Sequence, residues 1–451
     1  MSLTVVGAKV MLAKYNKQGP RYTSYPPVPF WKNAPDEMTW ISHLKKNYNE
    51  REGMDLYVHI PFCQKLCYYC GCNRIVTKNL QVQDDFIQTL IMEWQLYCEK
   101  IGLIPKVNSL HFGGGTPTFL TPENLERLIQ ALTTNKKENF IGSIEIDPRN
   151  TTIEHLDCFK KNGIERISLG IQDFDSHVQV AINRHQPFSL VESLMMEMRK
   201  REFESINFDV IYGLPKQNAE TIRETFRLIK KLRPDMIAFY SYAHLPERMK
   251  NQRLINDRDL PQAEKKQALY DLGKELLLAD GYLDIGMDHF ALPENFLYRA
   301  HAKELLHRNF MGYVDKKSPI LLGLGPSSIS DSSQSFIQNE KGLGEYEMKI
   351  KSGSLALAQG HTHDERDLNV QKIILNLMCR NETQLGDVSL IPHWQEISED
   401  LMMMEEDGLL KIDRNSIKVL PVGKKFIRSI AMVFDFYFRE KMPTERFSRT
   451  I

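Results

Sequence analysis

Residues 57–72 read Tyr57-Val58-His59-Ile60-Pro61-Phe62-Cys63-Gln64-Lys65-Leu66-Cys67-Tyr68-Tyr69-Cys70-Gly71-Cys72. The apolar run at 56–60 predicts a short buried strand. Directly after it come Cys63, Cys67 and Cys70 in the spacing C-x3-C-x2-C. Four of the seven cysteines lie within residues 63–72. A disulfide framework would spread them along the chain, so the grouping points to metal or redox chemistry.

Thiolates are soft ligands that suit iron–sulfur clusters. A cubane has four irons, and three cysteines leave one of them without a protein ligand. An amine and a carboxylate on one molecule can chelate that iron, and the methionine end of S-adenosylmethionine (SAM) carries both. An electron from the cluster can then break the sulfonium C–S bond and give a carbon radical. Cys72 either closes the site as a fourth ligand or is a free thiol beside it. It stands only two residues beyond Cys70, which favours three ligands. The alternative of a zinc site expects two well-separated cysteine pairs. Cys98, Cys158 and Cys379 are isolated and read as small buried apolar residues.

Outward from this stretch, apolar runs alternate with helical patterns. The runs are 56–60, 109–112, 143–147, 166–170, 207–212 and 236–240. The helical patterns are 83–100, 123–132, 153–161, 190–201 and 219–232. Such alternation predicts a parallel sheet with crossover helices. Six units fall short of the eight of a full barrel, so the expected α/β fold is an incomplete (β/α)6 barrel. Thr121-Pro122 signals a helix start. Gly113-Gly114-Gly115 and Gly213 mark tight loops at strand C-termini, the end where barrels place their chemistry. Residues 1–50 read as an irregular arm with one helix near 38–48. Beyond about 364 the pattern turns helical, with a hairpin at 408–412 and 416–420, which predicts a winged-helix-like cap.

Lys plus Arg and Asp plus Glu number 58 each among 451 residues. This balance argues against a nucleic-acid partner and leaves room for a local basic pocket for an acidic small molecule. The apolar stretch at 3–12 is interrupted by Gly7 and Lys9 and lacks the pattern of a signal peptide. No segment approaches the ~20 apolar residues of a membrane span. The expected location is cytoplasmic, where thiols stay reduced.

The chain resembles the radical SAM superfamily and, within it, the oxygen-independent coproporphyrinogen III oxidase (dehydrogenase) family. The residues that carry the resemblance, besides the cysteines, are 21–26 (Arg-Tyr-Thr-Ser-Tyr-Pro), 112–118 (Phe-Gly-Gly-Gly-Thr-Pro-Thr), 172–174 (Gln-Asp-Phe) and 212–217 (Tyr-Gly-Leu-Pro-Lys-Gln). Further marks are 286–291 (Gly-Met-Asp-His-Phe-Ala), 307–310 (His-Arg-Asn-Phe) and 446–449 (Arg-Phe-Ser-Arg). The resemblance implies a 4Fe–4S cluster on Cys63, Cys67 and Cys70. It implies a division into an arm (1–50), a radical SAM partial barrel with its extension (51–330), a connecting segment (331–363) and a helical, winged-helix-like domain (364–451). It also implies SAM contacts at Tyr57, Tyr69, Gly114, Gly115, Thr116, Glu145, Gln172, Arg184, Asp209, Ala243 and Ile329, with two SAM molecules bound. Tyr57, Glu145, Cys72 and Ile329 are the implied catalytic set. Taken alone, Glu145 fits a solvated strand face, Arg184 a surface helix, and Ala243 and Ile329 packing positions.

The implied reaction is oxidative decarboxylation of two propionates of coproporphyrinogen III to vinyl groups, giving protoporphyrinogen IX. A 5′-deoxyadenosyl radical takes a hydrogen from the propionate β-carbon, carbon dioxide leaves, and one electron goes to an acceptor. The implied partners are the tetracarboxylate substrate, an electron donor and an electron acceptor. A monomer is expected. Arg21, Tyr22, His289 and Arg308 are substrate candidates, since cations suit carboxylates. For Arg21, His289 and Arg308 the alternative is structural ion pairing. The arm at Tyr22–Tyr25 reads either as a lid over the pocket or as a packing strap. Met311, Pro326 and Ser328 depart from the family pattern. Rival readings are a haem-carrying chaperone, a haem-modifying radical SAM enzyme and a nucleic-acid binder, and Cys72 argues against the chaperone.

Overall fold

The computed structural model describes residues 11–441 and Phe447. Most of the 3–12 stretch, and Arg446, Ser448 and Arg449 of the terminal motif, lie outside the described residues. All six apolar runs are strands: β1 Met54–Ile60, β2 Val107–Gly114, β3 Lys136–Ile146, β4 Ile164–Gln172, β5 Ser205–Tyr212 and β6 Met236–Ser241. They lie side by side in chain order, each parallel to the next. β1 is buried along nearly its whole length, as strands of a parallel sheet are, although Asp55 and His59 interrupt its apolar run.

The crossovers are α1 Val82–Ile101, α2 Pro122–Leu132, α3 Ile153–Lys161, α4 Phe188–Lys200 and α5 Ala219–Leu232. α2 buries Leu125, Leu128, Ile129 and Leu132, the i, i+3, i+4, i+7 stripe of an amphipathic helix. Its start is built as the sequence signals: the Thr121 side chain accepts from the Asn124 N–H, and Pro122 opens the first turn, which needs no donor there. Thr152 and Asn218 form reciprocal caps at α3 and α5. Truncating a core leucine such as Leu128, fully buried, costs about 2–5 kcal/mol.

A seventh parallel strand, β7 Leu321–Leu324, pairs with the other side of β1 and was not among the six expected. Beyond β7 the sheet turns antiparallel through Ile329–Asp331, Ser335–Asn339, Leu357–Thr362 and Lys32–Asn33. Beyond β6 it ends in His289–Ala291 and Leu283–Gly286. The 13-stranded sheet therefore has two different edges and does not close on itself. Residues 331–363, read from sequence as a connecting segment, supply two of these strands and the helix Leu343–Lys351.

After α6 Ala263–Ala279, the main later helices are α7 Glu365–Arg380 and α8 Trp394–Glu406. The expected hairpin forms from Leu410–Asp413 and Ser416–Val419, and Glu382–Gln384 adds a third strand. These elements share a second core that includes Leu377, Leu401, Ile417 and Phe434. Tyr15, Tyr22 and Tyr25 of the arm are buried in that core. The Tyr22 hydroxyl donates to Asp435 at 3.0 Å, and Arg428 donates to the carbonyls of Gly19 and Pro20. Tyr22–Tyr25 packs here as a strap against the second core. Tyr22 is 2% exposed and lines a small cavity with His307 and Arg308.

Candidate active site

Strand β1 ends at Ile60, and after Pro61 the next two residues, Phe62–Cys63, pair in parallel with Ile75–Val76. This clasp closes the loop 64–74 at its base. Phe62 anchors it between the rings of Phe86 and Phe119, each 5.1 Å away. Amide side chains then hold the loop carbonyls. Asn251 donates to Tyr68 at 2.8 Å and to Cys70 at 2.9 Å. Gln252 donates to Tyr69 at 2.9 Å, and Asn183 to Leu66 at 2.7 Å. Cys63, Cys67, Cys70 and Cys72 all line one cleft of about 820 Å³, and no disulfide joins any of the seven cysteines.

The opposite wall is the glycine turn at the end of β2. Gly114 has φ +110°, and a Cβ there would stand 2.7 Å from the His59 ring. A Cβ at Gly115 would stand 2.8 Å from the Pro61 carbonyl carbon. Only glycine lets the backbone come this close. Thr116 Oγ1 lies 3.3 Å from Cys63 Sγ. Burial pushes the Cys63 thiol up to about 11, whereas hydrogen bonding from Cys72 draws Cys70 down to about 6.

Two arginines back the loop. Arg184, 5% exposed, reaches Asp147 Oδ2 at 3.3 Å and Cys67 Sγ at 3.7 Å. Arg149 reaches the same carboxylate at 2.6 Å and the same sulfur at 3.5 Å. Burial works to raise the Asp147 pKa, but the two guanidinium groups outweigh it and hold the carboxyl at about 2. Arg149 Nη1 and Arg184 Nε are buried with no partner among the described residues. Buried cations in excess of their acid call for an anionic guest. Three thiols, a bare backbone cradle and surplus positive charge are a donor set that fits an anionic iron–sulfur cluster with an open iron and a carboxylate-bearing ligand.

On the floor, Glu145 and Asp209 face the cleft with Ser168 and Gln172. Asp209 accepts from Ser168 at 2.9 Å and from Asn207 at 2.9 Å. Burial, with Glu145 adding to it, raises Asp209 to about 7. Tyr57 stands behind this floor. It stacks on His111 at 5.8 Å, its hydroxyl is 3.1 Å from His59 Nδ1, and it approaches the cleft across Gly113, which lies between it and Glu145.

The structure brings Tyr69, Cys72, Gly114, Gly115, Thr116, Glu145, Gln172, Arg184 and Asp209 together on the cleft wall. Arg184 is buried after the short helix Ser176–Ala181 and not exposed on a helix. Ala243 and Ile329 are not brought to that wall. Ala243 lines a neighbouring cavity, although Gln252 bonds both its carbonyl and that of Tyr69. Ile329 lies over Gly323, the partner of Tyr57 in register. Of the substrate candidates, Arg21 pairs with Asp288 at 3.2 Å. Arg308 donates to the Arg21 carbonyl and packs over the Tyr313 ring. His289 faces the barrel lumen with Met311 and Tyr240, and burial holds it neutral, at about 3. Sequence reasoning missed Asp147, Arg149, His111, Asn183, Asn251 and Gln252. Only Asp147 lay at a predicted strand end.

This constellation at the end of the first parallel strand defines a radical SAM protein, and residues 57–229 match the model of the Radical SAM superfamily. The likeness extends well beyond that core. The oxygen-independent coproporphyrinogen III oxidase of Escherichia coli (strain K12) is 37% identical over 449 residues, with 98% of each chain covered. That of Synechocystis sp. (strain PCC 6803) is 36% identical over 460 residues, with 99% of each covered. The solved structure of the Escherichia coli coproporphyrinogen III oxidase, described as a radical SAM enzyme, superposes with a TM-score of 0.87 at 35% identity, covering 95% of this chain and 98% of that one. The chain belongs to the oxygen-independent coproporphyrinogen III oxidase family.

Proposed function

We propose that this protein decarboxylates two propionate side chains of coproporphyrinogen III to vinyl groups, giving protoporphyrinogen IX in haem biosynthesis. The observation that carries the reading is the cleft itself. Three unbridged thiols, the Gly114–Gly115 cradle and the Arg149–Asp147–Arg184 group face one another in a chain similar to these oxidases over its full length.

Cys63, Cys67 and Cys70 would hold a 4Fe–4S cluster, with SAM beside it. When bound, the pair supplies an electron-triggered C–S cleavage and a radical strong enough to take hydrogen from an unactivated carbon. The chain's own residues prepare that event. Gly114, Gly115 and Thr116 offer backbone groups to the amino-acid end of SAM. Arg184 fixes Cys67 and, with Arg149, neutralises charge at the loop. Glu145, Gln172 and Asp209 hold polar groups on the floor, and Tyr69 packs from the loop side. Tyr57 and Cys72 serve at the margin of the cleft. Ala243 and Ile329 would complete the SAM pocket, Ala243 held to the loop by Gln252, which bonds its carbonyl and that of Tyr69, and a second SAM would bind beside the first. The reading includes a monomeric cytoplasmic enzyme, a separate electron donor and acceptor, and the division into 1–50, 51–330, 331–363 and 364–451. Among the described residues no helix is long and apolar enough to cross a membrane.

The test is anaerobic reconstitution followed by addition of SAM, a reductant and coproporphyrinogen III. Loss of two carbon dioxide units from the tetrapyrrole, with formation of 5′-deoxyadenosine, is the expected result. Deoxyadenosine without any change in the tetrapyrrole would overturn the substrate assignment while keeping the radical SAM class.

A further inference from the structure

A second cavity, of about 1140 Å³, opens between the barrel rim and the chain after the C-terminal hairpin. Tyr212 and Ser241 on its wall are the last residues of β5 and β6 and pair in register. The cavity therefore lies at the strand C-termini, the same end as Gly114 and Gln172. Asp209 of the cluster cleft is three residues up the same strand from Tyr212, about 10 Å at the rise of a strand.

Five cations line this trough, Arg21, Lys274, Lys424, Lys425 and Arg428, against three acids, Asp271, Asp284 and Asp288. Each acid takes one cation: Asp288 pairs with Arg21 at 3.2 Å, Asp284 with Lys274 at 2.6 Å, and Asp271 with Lys425 at 3.4 Å. Lys424 is exposed and in no ion pair among the described residues. Arg428 is 7% exposed, and its contacts include the carbonyls of Gly19 and Pro20. Burial, with Arg21 close by, draws Arg428 down to about 9, the sign of positive charge crowded away from water. Behind it Arg308 is 5% exposed, with Nη1 buried and unpartnered. Tyr212 and Tyr270, 5.1 Å apart, give the trough an aromatic wall.

The proposed substrate carries four carboxylates on a flexible apolar ring. Two of them react in turn beside the cluster, and two persist to product. The persisting pair needs an anchor near the cluster cleft that performs no chemistry. We propose that the trough is this anchor, a polycarboxylate subsite in which Lys424 and Lys425 grip the unreacted propionates from the rim and Arg21 exchanges Asp288 for a substrate carboxylate. The inference rests on the functional reading above and assigns where the substrate is held.

The experiment compares reconstituted wild-type enzyme with the double variant Lys424→Glu/Lys425→Glu, both positions exposed and outside either core. Lys45→Glu/Lys46→Glu, at the end of the helix Glu37–Asn47, controls for net charge. The expected result is a KM for coproporphyrinogen III raised about tenfold or more in Lys424→Glu/Lys425→Glu, with kcat within about twofold, and a KM in the control pair equal to that of wild type. A KM within twofold of wild type in the trough variant, or an equal rise in the control, overturns the proposal. Binding of coproporphyrin III, the stable oxidised ring with the same four carboxylates, is followed in parallel by fluorescence. If wild-type enzyme turned over no coproporphyrinogen, the functional reading would fall. The trough would then stand on a tenfold weaker binding in the trough variant and would fall on equal binding.

Discussion

The two basic regions on the barrel rim are built on opposite plans. At the cluster loop, Arg184 and Asp147 have side chains 6% and 8% exposed, and both guanidinium groups converge on one carboxylate and one sulfur. In the trough, Arg21 is 33% exposed and its partner Asp288 14%, and each acid is matched to its own cation. A dry pair in low dielectric holds a fixed geometry, while a wet pair can be exchanged for a ligand at little cost. The first plan suits a small guest that must sit in one position. The second suits a large, flexible polyanion that must be released and turned.

The largest effect on this contrast comes from removing a thiol. Cys67→Ala takes away the sulfur on which both arginines converge. Deoxyadenosine formation should fall to background and the visible absorbance of the reconstituted cluster should disappear. Retention of both would break the reading of the cleft.

Next comes the buried carboxylate. Asp147→Asn leaves two buried guanidinium groups without their counter-charge and should cost about 3–5 kcal/mol in urea unfolding of the cluster-free chain. Asp288→Asn in the trough should cost under about 1 kcal/mol. Equal costs would erase the distinction between dry and wet sites.

A smaller effect is expected at the loop carbonyls. Asn251→Ala removes hydrogen bonds to the carbonyls of Cys67, Tyr68 and Cys70 and should speed cluster loss to a chelator by about 10–100-fold with little change in melting temperature. An unchanged rate would show that the thiols alone hold the loop.

The smallest effect is one of pH. The Asp209 pKa is raised on folding, to about 7, so its contribution to stability is full below the ordinary carboxylate range and is lost as pH rises toward 7. The melting temperature of Asp209→Asn relative to wild type should therefore increase between pH 5 and pH 8. A difference that stays flat would show that Asp209 stays ionised throughout.

The parallel strands were legible because sheets covered by helices demand continuous apolar runs, as at 236–240, and because Thr121-Pro122 carries its own start signal. β7 was not legible, since Leu321–Leu324 is only four residues long with a glycine inside, and its partner β1 is far away in sequence. The thiols, the glycine cradle and Arg184 were found by motif and resemblance. The side chains that hold them were not. Asn251 and Gln252 lie in an irregular stretch, and nothing local marks an amide that will meet a carbonyl some 180 positions earlier. The burial of Tyr22 was not legible for a related reason. An aromatic in an unpatterned arm has no periodicity to reveal which core receives it, and here that core is built around α7.

The strap has a consequence in time as well as in space. Tyr15, Tyr22 and Tyr25 leave the ribosome well before the groups that bury them, which run from Val370 through Asp435. Chains emerge at about 5–20 residues per second, amino end first. The barrel strands, through β7 at Leu321–Leu324, are therefore made before the strap has anything to pack against, and the strap is bound only after α7 and the residues around Phe434 have followed.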